Sequence, residues 1–298
     1  MIRLGILGLD TSHAAAFAEI LDGQPDVDIT HVWDGGQVRS DADVEAFCER
    51  YAATRVESPR AVNEAVDAGL ILTVDWSTHV PIALEFVRAG RPVLIDKPIA
   101  GSARDLECLR AALDGSPATI FGGSAVPFHP AVAGLPRRIP GRTTFAAGYN
   151  DPFYYGAHLT DTLRRVTGTD WTRVRPLECV PGGVSVTFDA GTTGILRLDG
   201  PSADAAFGIL DVGDRTRTVR LGGDQAVLKR MYAPFLAAFL ETIDGARDDR
   251  ETILDAASLL LAVHCALRDG VPVEPDDAGL RSVEVDPAPF LEGYQPYE

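Results

Sequence analysis

Strand-like and helix-like patterns alternate over the first 121 residues of the chain. Short apolar runs predict strands at about 3–9, 27–33, 70–74, 92–95 and 118–121. Amphipathic segments between them predict helices at about 11–21, 41–52, 60–68, 81–89 and 103–113. Regular alternation of this kind is typical of a doubly wound parallel sheet with helices on both faces. We therefore predict an α/β domain over residues 1–121.

The pattern changes at Gly122, where a passage rich in proline and glycine begins. Strands are predicted at about 143–147, 184–188, 194–198, 207–212 and 217–221, and helices at about 157–166, 232–243 and 251–268. Grouped strands followed by helices predict an α+β domain over residues 122–298, with an open, mostly antiparallel sheet. The expected fold is thus a Rossmann-type doubly wound parallel sheet for nucleotide binding, followed by a domain for substrate binding and oligomerisation. The open sheet face predicts a homodimer or homotetramer.

Charge and cysteine content restrict the partners. A net charge of -16 argues against nucleic acid or an anionic membrane, because phosphate groups would be repelled. Four scattered cysteines without a C-x-x-C pair are expected to be reduced, and mostly buried. No cluster has the spacing of metal ligands, and no segment has the pattern of a signal peptide or membrane helix. We expect a cytoplasmic protein that acts on a small molecule.

The first strand–helix turn departs from the usual dinucleotide motif. Such turns read G-x-G-x-x-G, so that pyrophosphate can approach the helix N-terminus. Here the turn is Gly8-Leu9-Asp10-Thr11-Ser12-His13, which keeps only the first glycine. Asp10 is expected to N-cap the helix and to put negative charge near the phosphates, whereas Thr11 and Ser12 could still bind them.

Two further positions fit a nicotinamide dinucleotide. Asp34 ends the second strand, where an acid that binds ribose belongs, although a simple turn aspartate would look the same. No arginine follows Asp34 directly, which favours NAD over NADP. In the loop after the predicted strand at about 70–74, Ser77 and His79 are candidate cofactor contacts, and His79 could instead only cap the next helix.

The segment Gly90–Gly101, GRPVLIDKPIAG, contains the strongest candidate for a catalytic group. Its apolar run ends at Asp96-Lys97-Pro98. Ligands of open α/β sheets bind beyond the carboxyl ends of the strands, so Lys97 is placed for chemistry. Pro98 fixes the backbone there, and its peptide bond could be cis.

A second candidate lies in Tyr154-Tyr155-Gly156-Ala157-His158-Leu159-Thr160-Asp161, at the start of a predicted helix. His158 and Asp161 are three residues apart, so they share one helix face and can meet the same ligand. A histidine near neutral pKa suits the removal of a hydroxyl proton. Tyr149, Tyr154 and Tyr155 could form an aromatic wall for a sugar-like ring, or belong to the interface between domains.

The Asp96-Lys97-Pro98 motif, the Thr78-His79 loop and the Gly156–Asp161 helix together resemble the Gfo/Idh/MocA oxidoreductases. The resemblance covers most of the chain and includes the strand pattern Val184–Arg197. It implies that Lys97 contacts the reacting hydroxyl or carbonyl, that His158 acts as acid and base, and that Asp161 binds substrate or orients His158. The family often has an aspartate where this chain has Tyr154, which leaves the substrate class open.

The resulting site prediction has three parts. The catalytic candidates are Lys97, His158 and Tyr154, and the substrate-binding candidates are Asp161, Tyr155 and Tyr149. The cofactor-binding candidates are Gly8, Asp10, Thr11, Ser12, His13, Asp34, Ser77, His79, Asp96 and Pro98. The prediction requires Lys97 and His158 to converge on one cleft between the two domains.

The leading hypothesis is an NAD-dependent dehydrogenase or reductase acting on a sugar, a polyol or a sugar-derived metabolite. The altered turn motivates an alternative, a lyase, isomerase or hydrolase that uses Lys97 and His158 for proton transfer with altered or lost dinucleotide binding. A ligand-sensing protein without catalysis is a third possibility, and the presence of both Lys97 and His158 argues against it.

Overall fold

A computed structural model describes residues 1–200 and 205–296 of the chain. The first half folds into a six-stranded parallel sheet with the strand order β3-β2-β1-β4-β5-β6. Its strands are β1 (Ile2–Leu7), β2 (Val27–Trp33), β3 (Thr54–Arg55), β4 (Ala68–Ile71), β5 (Val93–Asp96) and β6 (Ile120–Gly123). The helices between them are α1 (Ser12–Asp22), α2 (Asp41–Tyr51), α3 (Pro59–Ala65), α4 (His79–Arg88) and α5 (Ala103–Asp114). The predicted doubly wound sheet is confirmed.

The second half contains a mixed, mostly antiparallel sheet with the order β12-β11-β7-β10-β9-β8. Its strands are β7 (Thr143–Ala147), β8 (Trp171–Pro176), β9 (Gly183–Phe188), β10 (Thr193–Arg197), β11 (Phe207–Val212) and β12 (Thr216–Leu221). The helices are α6 (Pro130–Ala133), α7 (Gly156–Thr167), α8 (Gln225–Ile243), α9 (Arg250–Asp269), α10 (Ala278–Arg281) and α11 (Ala288–Leu291). Among the described strands of this sheet, only β7 and β10 pair in parallel, so the predicted sheet type is also confirmed.

The central strands of the first sheet are buried on both faces, which explains their continuous apolar sequences. In β4 and β5 every residue is buried. Gly69 lies directly under Phe86 of α4, and a Cβ atom there would come within 2.5 Å of the ring. The helices therefore pack closely on the sheet. Because all six strands are parallel, their carboxyl ends lie along one edge of it.

Helices from the second half return to the first. Helix α9 packs on α7 and on the edge strand β6, and α8 packs on α1 and β6. The C-terminal segment also crosses back, because Ser102 pairs with Glu284 and the Trp76 Nε1–H donates to the Val285 carbonyl at 2.8 Å. The tips of β5 and β6 are thereby covered by side chains from the second half.

The cysteines are more exposed than the sequence predicts. All four cysteines are free thiols, but Cys108 and Cys179 are exposed, contrary to the expectation that most are buried. Cys108 points outward because it lies on the solvent side of α5, whose buried residues are leucines. Within the described ranges, no helix is long and apolar enough to cross a membrane.

Candidate active site

Lys97 lies immediately beyond β5, between the tips of β4 and β6. Only 3 % of its surface is exposed, and its peptide bond to Pro98 is cis. The Nζ atom lies 2.9 Å from the centroid of the Tyr154 ring, a cation–π contact. Burial lowers the pKa of Lys97 to about 7, against the opposing effect of the carboxylates of Asp96 and Asp151. At neutral pH this amine can therefore both accept and donate a proton.

Asp96, one residue earlier, pairs with the turn after β1. Its Oδ2 atom lies 2.7 Å from Nδ1 of His13, and the imidazole stacks on Phe17 and meets the edge of Tyr232. Burial alone would raise the pKa of Asp96, but the charges and hydrogen bonds of His13 and Lys97 outweigh it and lower that pKa to about 2. His13, which replaces the third glycine of the motif, thus ties α1 to the strand that carries Lys97.

The turn between β1 and α1 retains one glycine for a steric reason. Gly8 has φ of +94°, and a Cβ atom there would lie 2.6 Å from Cγ2 of Thr73. The expectation that Asp10 caps α1 is wrong, because Thr11 is the N-cap and its hydroxyl accepts from the His13 N–H. Asp10 is buried instead under the turn, where Oδ2 accepts from the Val74 N–H at 3.0 Å. Burial raises its pKa to about 6.

This turn can accommodate the pyrophosphate of a dinucleotide. Among the described residues, the backbone N–H groups of Asp10, Thr11 and Ser12 meet no hydrogen-bond acceptor. They lie at the N-terminus of α1, where the helix dipole favours an anion. A cavity of about 470 Å³ opens beside them and is lined in part by Thr11, Ser12 and Arg39. Because the Asp10 carboxylate is held by Val74, the residues of the turn fit the group.

Asp34 lies against the same turn, as expected for an acid at the end of β2. Its two oxygens accept from the N–H groups of Leu9 at 2.8 Å and Gly36 at 2.9 Å. Sequence analysis missed Arg39, whose Nε donates to the Leu9 carbonyl at 3.0 Å. Since a guanidinium reaches the turn from five positions beyond Asp34, the residue directly after Asp34 does not decide between NAD and NADP.

Ser77 and His79, the two expected cofactor contacts in the loop after β4, differ in their exposure to solvent. Ser77 is exposed, and both its N–H and its hydroxyl donate to Oδ1 of Asp75. His79 neither lines a pocket nor caps α4, and both expectations for it are wrong. Its ring is fully buried, with Nδ1 2.6 Å from the Pro98 carbonyl and Nε2 2.8 Å from the Thr73 carbonyl. His79 therefore fastens the end of β4 to the residue that follows Lys97.

His158 is carried by α7, a helix buried along its whole length. Its Nδ1 atom lies 2.7 Å from the hydroxyl of Ser124, directly after β6, and its ring packs on Phe207. Burial and the nearby Lys97 cation hold the pKa of His158 well below its usual value. The imidazole is therefore neutral at physiological pH.

Asp161 reaches the same residue as His158. Its Oδ2 atom accepts from the Ser124 N–H, and burial raises its pKa to about 6. Gly123 allows this approach, because it has φ of +77° and a Cβ atom there would lie 2.2 Å from Oδ2. His158 and Asp161 thus share a helix face, as predicted, but what both of them contact is Ser124. Sequence analysis did not single out Ser124, since nothing local marks it.

Three tyrosines surround Lys97 and His158. Tyr154 lies between Lys97 and Phe290, whose ring stacks on it at 4.3 Å. Tyr155 lies 5.5 Å from Nζ of Lys97, 6.2 Å from the His158 ring and 4.9 Å from the Tyr149 ring. Tyr155 therefore neighbours both Lys97 and His158, and the two groups are close enough for the Lys97 cation to lower the pKa of His158.

A cavity of about 780 Å³ adjoins this cluster. It is lined by residues of the turn before α7, by Gly200 and by the C-terminal segment that includes Phe290 and Tyr294. Asp151 was missed by sequence analysis, and its Oδ1 accepts from the N–H groups of Phe153 and Tyr154. The Asp-Pro dipeptide before three aromatic residues was the available signal, since aspartate often caps such turns.

These residues can together perform proton transfer at an oxygen atom. Lys97 supplies an amine that titrates near neutral pH, and His158 supplies a neutral imidazole beside it. Both are shielded from water, which strengthens their electrostatic effect on a bound group.

Comparisons with known proteins agree with this architecture. A family model described as "Oxidoreductase family, NAD-binding Rossmann fold" (GFO_IDH_MocA) matches residues 2–123. No curated protein matches the chain by sequence. The fold is similar to that of GenD2 from gentamicin A biosynthesis, solved with NAD, at 17% identity and a TM-score of 0.75, over 92% of this chain and 96% of that one.

Two inositol dehydrogenases share the fold as well. Scyllo-inositol dehydrogenase from Lactobacillus casei, solved with NAD(H) and scyllo-inositol, aligns at 15% identity and a TM-score of 0.73, over 93% of this chain and 100% of that one. Myo-inositol 2-dehydrogenase from Lactobacillus plantarum aligns at 13% identity and a TM-score of 0.73, over 92% and 99%. At these identities the likeness shows the fold alone.

Proposed function

We propose that the chain, whose residues 2–123 match the family model of the Gfo/Idh/MocA oxidoreductases with an NAD-binding Rossmann fold, is an NAD-dependent dehydrogenase or reductase of a sugar, a polyol or a sugar-derived metabolite. One observation carries the proposal. Lys97 and His158 come from different halves of the chain and both neighbour the Tyr155 ring. Lys97 directly follows β5, and His158 contacts Ser124 directly after β6, so both lie at the carboxyl ends of these strands, where open α/β sheets bind their ligands.

The chain's own residues provide a place for the cofactor. The N–H groups of Asp10, Thr11 and Ser12 would bind the pyrophosphate, and Asp34 would accept from ribose hydroxyls. When bound, the nicotinamide ring supplies the site that takes up or returns a hydride. The structure also weakens the redox-neutral alternative, because the Asp10 carboxylate that motivated it is occupied by the Val74 N–H.

Lys97 is the proton-transfer group in this proposal. In the oxidative direction the neutral amine accepts the proton of the substrate hydroxyl while the carbon loses its hydride. In the reductive direction the ammonium returns that proton to the carbonyl oxygen. A pKa of about 7 places both forms within reach of neutral pH.

The substrate class follows from the surroundings of the catalytic groups. Tyr155, Phe290 and Tyr294 offer aromatic surfaces, and Asp151 offers carboxylate oxygens, around a cavity large enough for one small ring. Aromatic faces beside hydrogen-bond acceptors suit a polyhydroxylated ring. The inositol dehydrogenases that share the fold act on substrates of this kind, as their names state.

The test combines binding with turnover. We expect NAD to raise the melting temperature of the purified protein, since a ligand that binds only the folded state stabilises it. We also expect formation of the reduced nicotinamide absorbance with at least one member of a panel of cyclitols, hexoses and sugar acids. Absence of both effects, with mass spectrometry showing no co-purified nucleotide, would contradict the proposal.

A further inference from the structure

Ser124 is held at the centre of the candidate site by three hydrogen bonds. Its N–H donates to Asp161, its hydroxyl lies 2.7 Å from Nδ1 of His158, and the same hydroxyl accepts from the Val126 N–H at 3.0 Å. The residue is fully buried. Helix α7 therefore fixes the backbone of Ser124 with one side chain and meets its hydroxyl with another.

These contacts determine the direction of the bond to His158. A serine hydroxyl has one proton to donate, and Ser124 already accepts from Val126. If Nδ1 of His158 carried a proton, the Ser124 hydroxyl would accept twice. Its own proton would then have no acceptor in the described part of the chain, in a place closed to water. The satisfied arrangement has Ser124 donating to an unprotonated Nδ1.

We propose that Ser124 is a positioning residue that fixes the tautomer of His158, so that His158 presents an Nε2–H donor to the substrate oxygen and does not act as its base. The assignment rests on the proposed function in one respect, namely that the oxygen bound by His158 is the hydroxyl or carbonyl oxygen of the substrate. It differs from the acid–base role that the family resemblance implied for His158.

The assignment gives both substrate forms a complete set of hydrogen bonds. A substrate hydroxyl donates its proton to the neutral Lys97 amine and accepts from the Nε2–H of His158. A carbonyl oxygen accepts from the Lys97 ammonium and from the same Nε2–H. In oxidation the O–H proton would move to Nζ of Lys97 as the C=O bond forms, and a bound nicotinamide would supply the acceptor for the hydride that leaves the carbon. His158 remains neutral throughout, which avoids a second buried cation beside Lys97.

The first test reads the tautomer directly and needs no turnover. Nitrogen NMR of ¹⁵N-histidine-labelled protein distinguishes protonated from unprotonated ring nitrogens, and the His158→Gln variant assigns the His158 signal among the six histidines. We expect a neutral Nε2–H ring in the wild type and loss of that single tautomer in Ser124→Ala. A protonated Nδ1 in the wild type would overturn the proposal, whether or not the protein oxidises any polyol.

The second test separates positioning from a merely structural role. With a substrate found by the panel, Ser124→Ala should lower kcat by about tenfold or more, with little change in the NAD-induced melting shift. Ser124→Thr, which keeps a hydroxyl, should recover much of the loss. The matched control is Thr167→Ala, which removes a buried hydroxyl at the end of α7 whose hydrogen bonds go to the helix carbonyls of Leu163 and Arg164. Equal kcat in Ser124→Ala and wild type, or equal losses in Ser124→Ala and Thr167→Ala, would contradict the assignment.

Discussion

Lys97 is the residue whose protonation most directly follows from its surroundings. Its Nζ atom lies 2.9 Å from the centroid of the Tyr154 ring and 5.5 Å from that of Tyr155. Burial disfavours the ammonium, while the carboxylates of Asp96 and Asp151 favour it. The balance is a pKa of about 7, far below that of an ordinary lysine.

This balance predicts a pH dependence. Oxidation needs the neutral amine, so kcat/KM for oxidation should rise with pH through an inflection near 7 and then level off. For reduction, which needs the ammonium, kcat/KM should fall through the same region. Steady-state kinetics in both directions would measure this. Lys97→Arg should lose about a hundredfold or more in rate, because guanidinium stays protonated. A flat profile, or full activity in Lys97→Arg, would remove Lys97 from the proton transfer.

Asp96 offers a second prediction on the same titration. Its negative charge raises the pKa of Lys97, so Asp96→Asn should move the inflection of the oxidation profile to lower pH. The asparagine has nearly the same shape, and a melting curve would check that the fold persists without the ionic contact to His13. Asp114→Asn, on the exposed end of α5, is the control and should leave the inflection in place. An inflection that moves upward in Asp96→Asn would be inconsistent with the proposed electrostatics.

Single residues also show where sequence reasoning succeeds. Lys97 was predictable because a buried parallel strand must deliver the residue after it to the ligand-binding edge. The N-cap role expected of the Asp10 side chain and the roles expected of the His79 ring were wrong, because their partners, Val74 and Pro98, lie on neighbouring loops. Ser124 could not be found at all, since its contact with His158 is created by the packing of α7 against β6.

Strands β7 and β11 are joined by a buried ion pair. Arg142, directly before β7, donates to both oxygens of Asp211 in β11, at 2.5 and 2.8 Å, and neither side chain is exposed. The guanidinium also donates to the carbonyls of Pro136 and Val166. These contacts hold the second sheet against the segment that leads from β6 to β7.

Removing one partner of this pair should destabilise the protein strongly. Arg142→Met removes both hydrogen bonds of the guanidinium to the buried Asp211 carboxylate and leaves only Arg217, at 3.8 Å, as a nearby cation among the described residues. Loss of one partner of a buried pair typically costs about 3–5 kcal/mol of unfolding free energy. Urea denaturation followed by circular dichroism would measure the loss. Arg60→Met, which breaks an exposed pair with Glu64 on α3, is the comparison and should change the midpoint little. Similar midpoints for the two variants would refute the structural role of the buried pair.

One strand was missed by the sequence patterns, and one helix was predicted to start too late, each for its own physical reason. Strand β8 carries Arg173, Arg175 and Pro176, and only Trp171 and Val174 of it are buried, so it lacks an apolar run. It lies at the sheet edge, where polar residues and proline are tolerated. Helix α8 begins before its predicted start at Tyr232, because Asp224 caps it and Pro234 is accommodated inside it. Proline is more typical of a first helical turn.

The outer face of the second sheet carries exposed apolar residues that could bring two molecules together. Leu210, Phe145 and Ile195 lie directly opposite one another on the adjacent strands β11, β7 and β10. Phe145 and Leu210 are exposed to 38% and 37%, and Val212 to 39%. An apolar row across the middle of an exposed sheet usually marks an interface.

We expect this face to form a symmetric dimer, alone or as part of a tetramer, because a row of apolar side chains is readily self-complementary across a two-fold axis. Light scattering of the purified protein should then give at least twice the mass of the chain at micromolar concentration. Leu210→Lys places a charge at the centre of the row and should shift the protein towards the monomer. Strand pairing is backbone-driven, so the variant should keep a cooperative melting transition.

A matched substitution shows whether the position or the added charge matters. Val271, just after α9, is 51% exposed but lies outside this sheet. Val271→Lys adds the same charge to the surface and should leave the mass unchanged. If both variants dissociate equally, the effect would not be specific to the apolar row, and this face would not be the interface. A wild-type protein that is monomeric at micromolar concentration would contradict the expected dimer. The apolar row would then be exposed to water, and the second sheet would only support the candidate site.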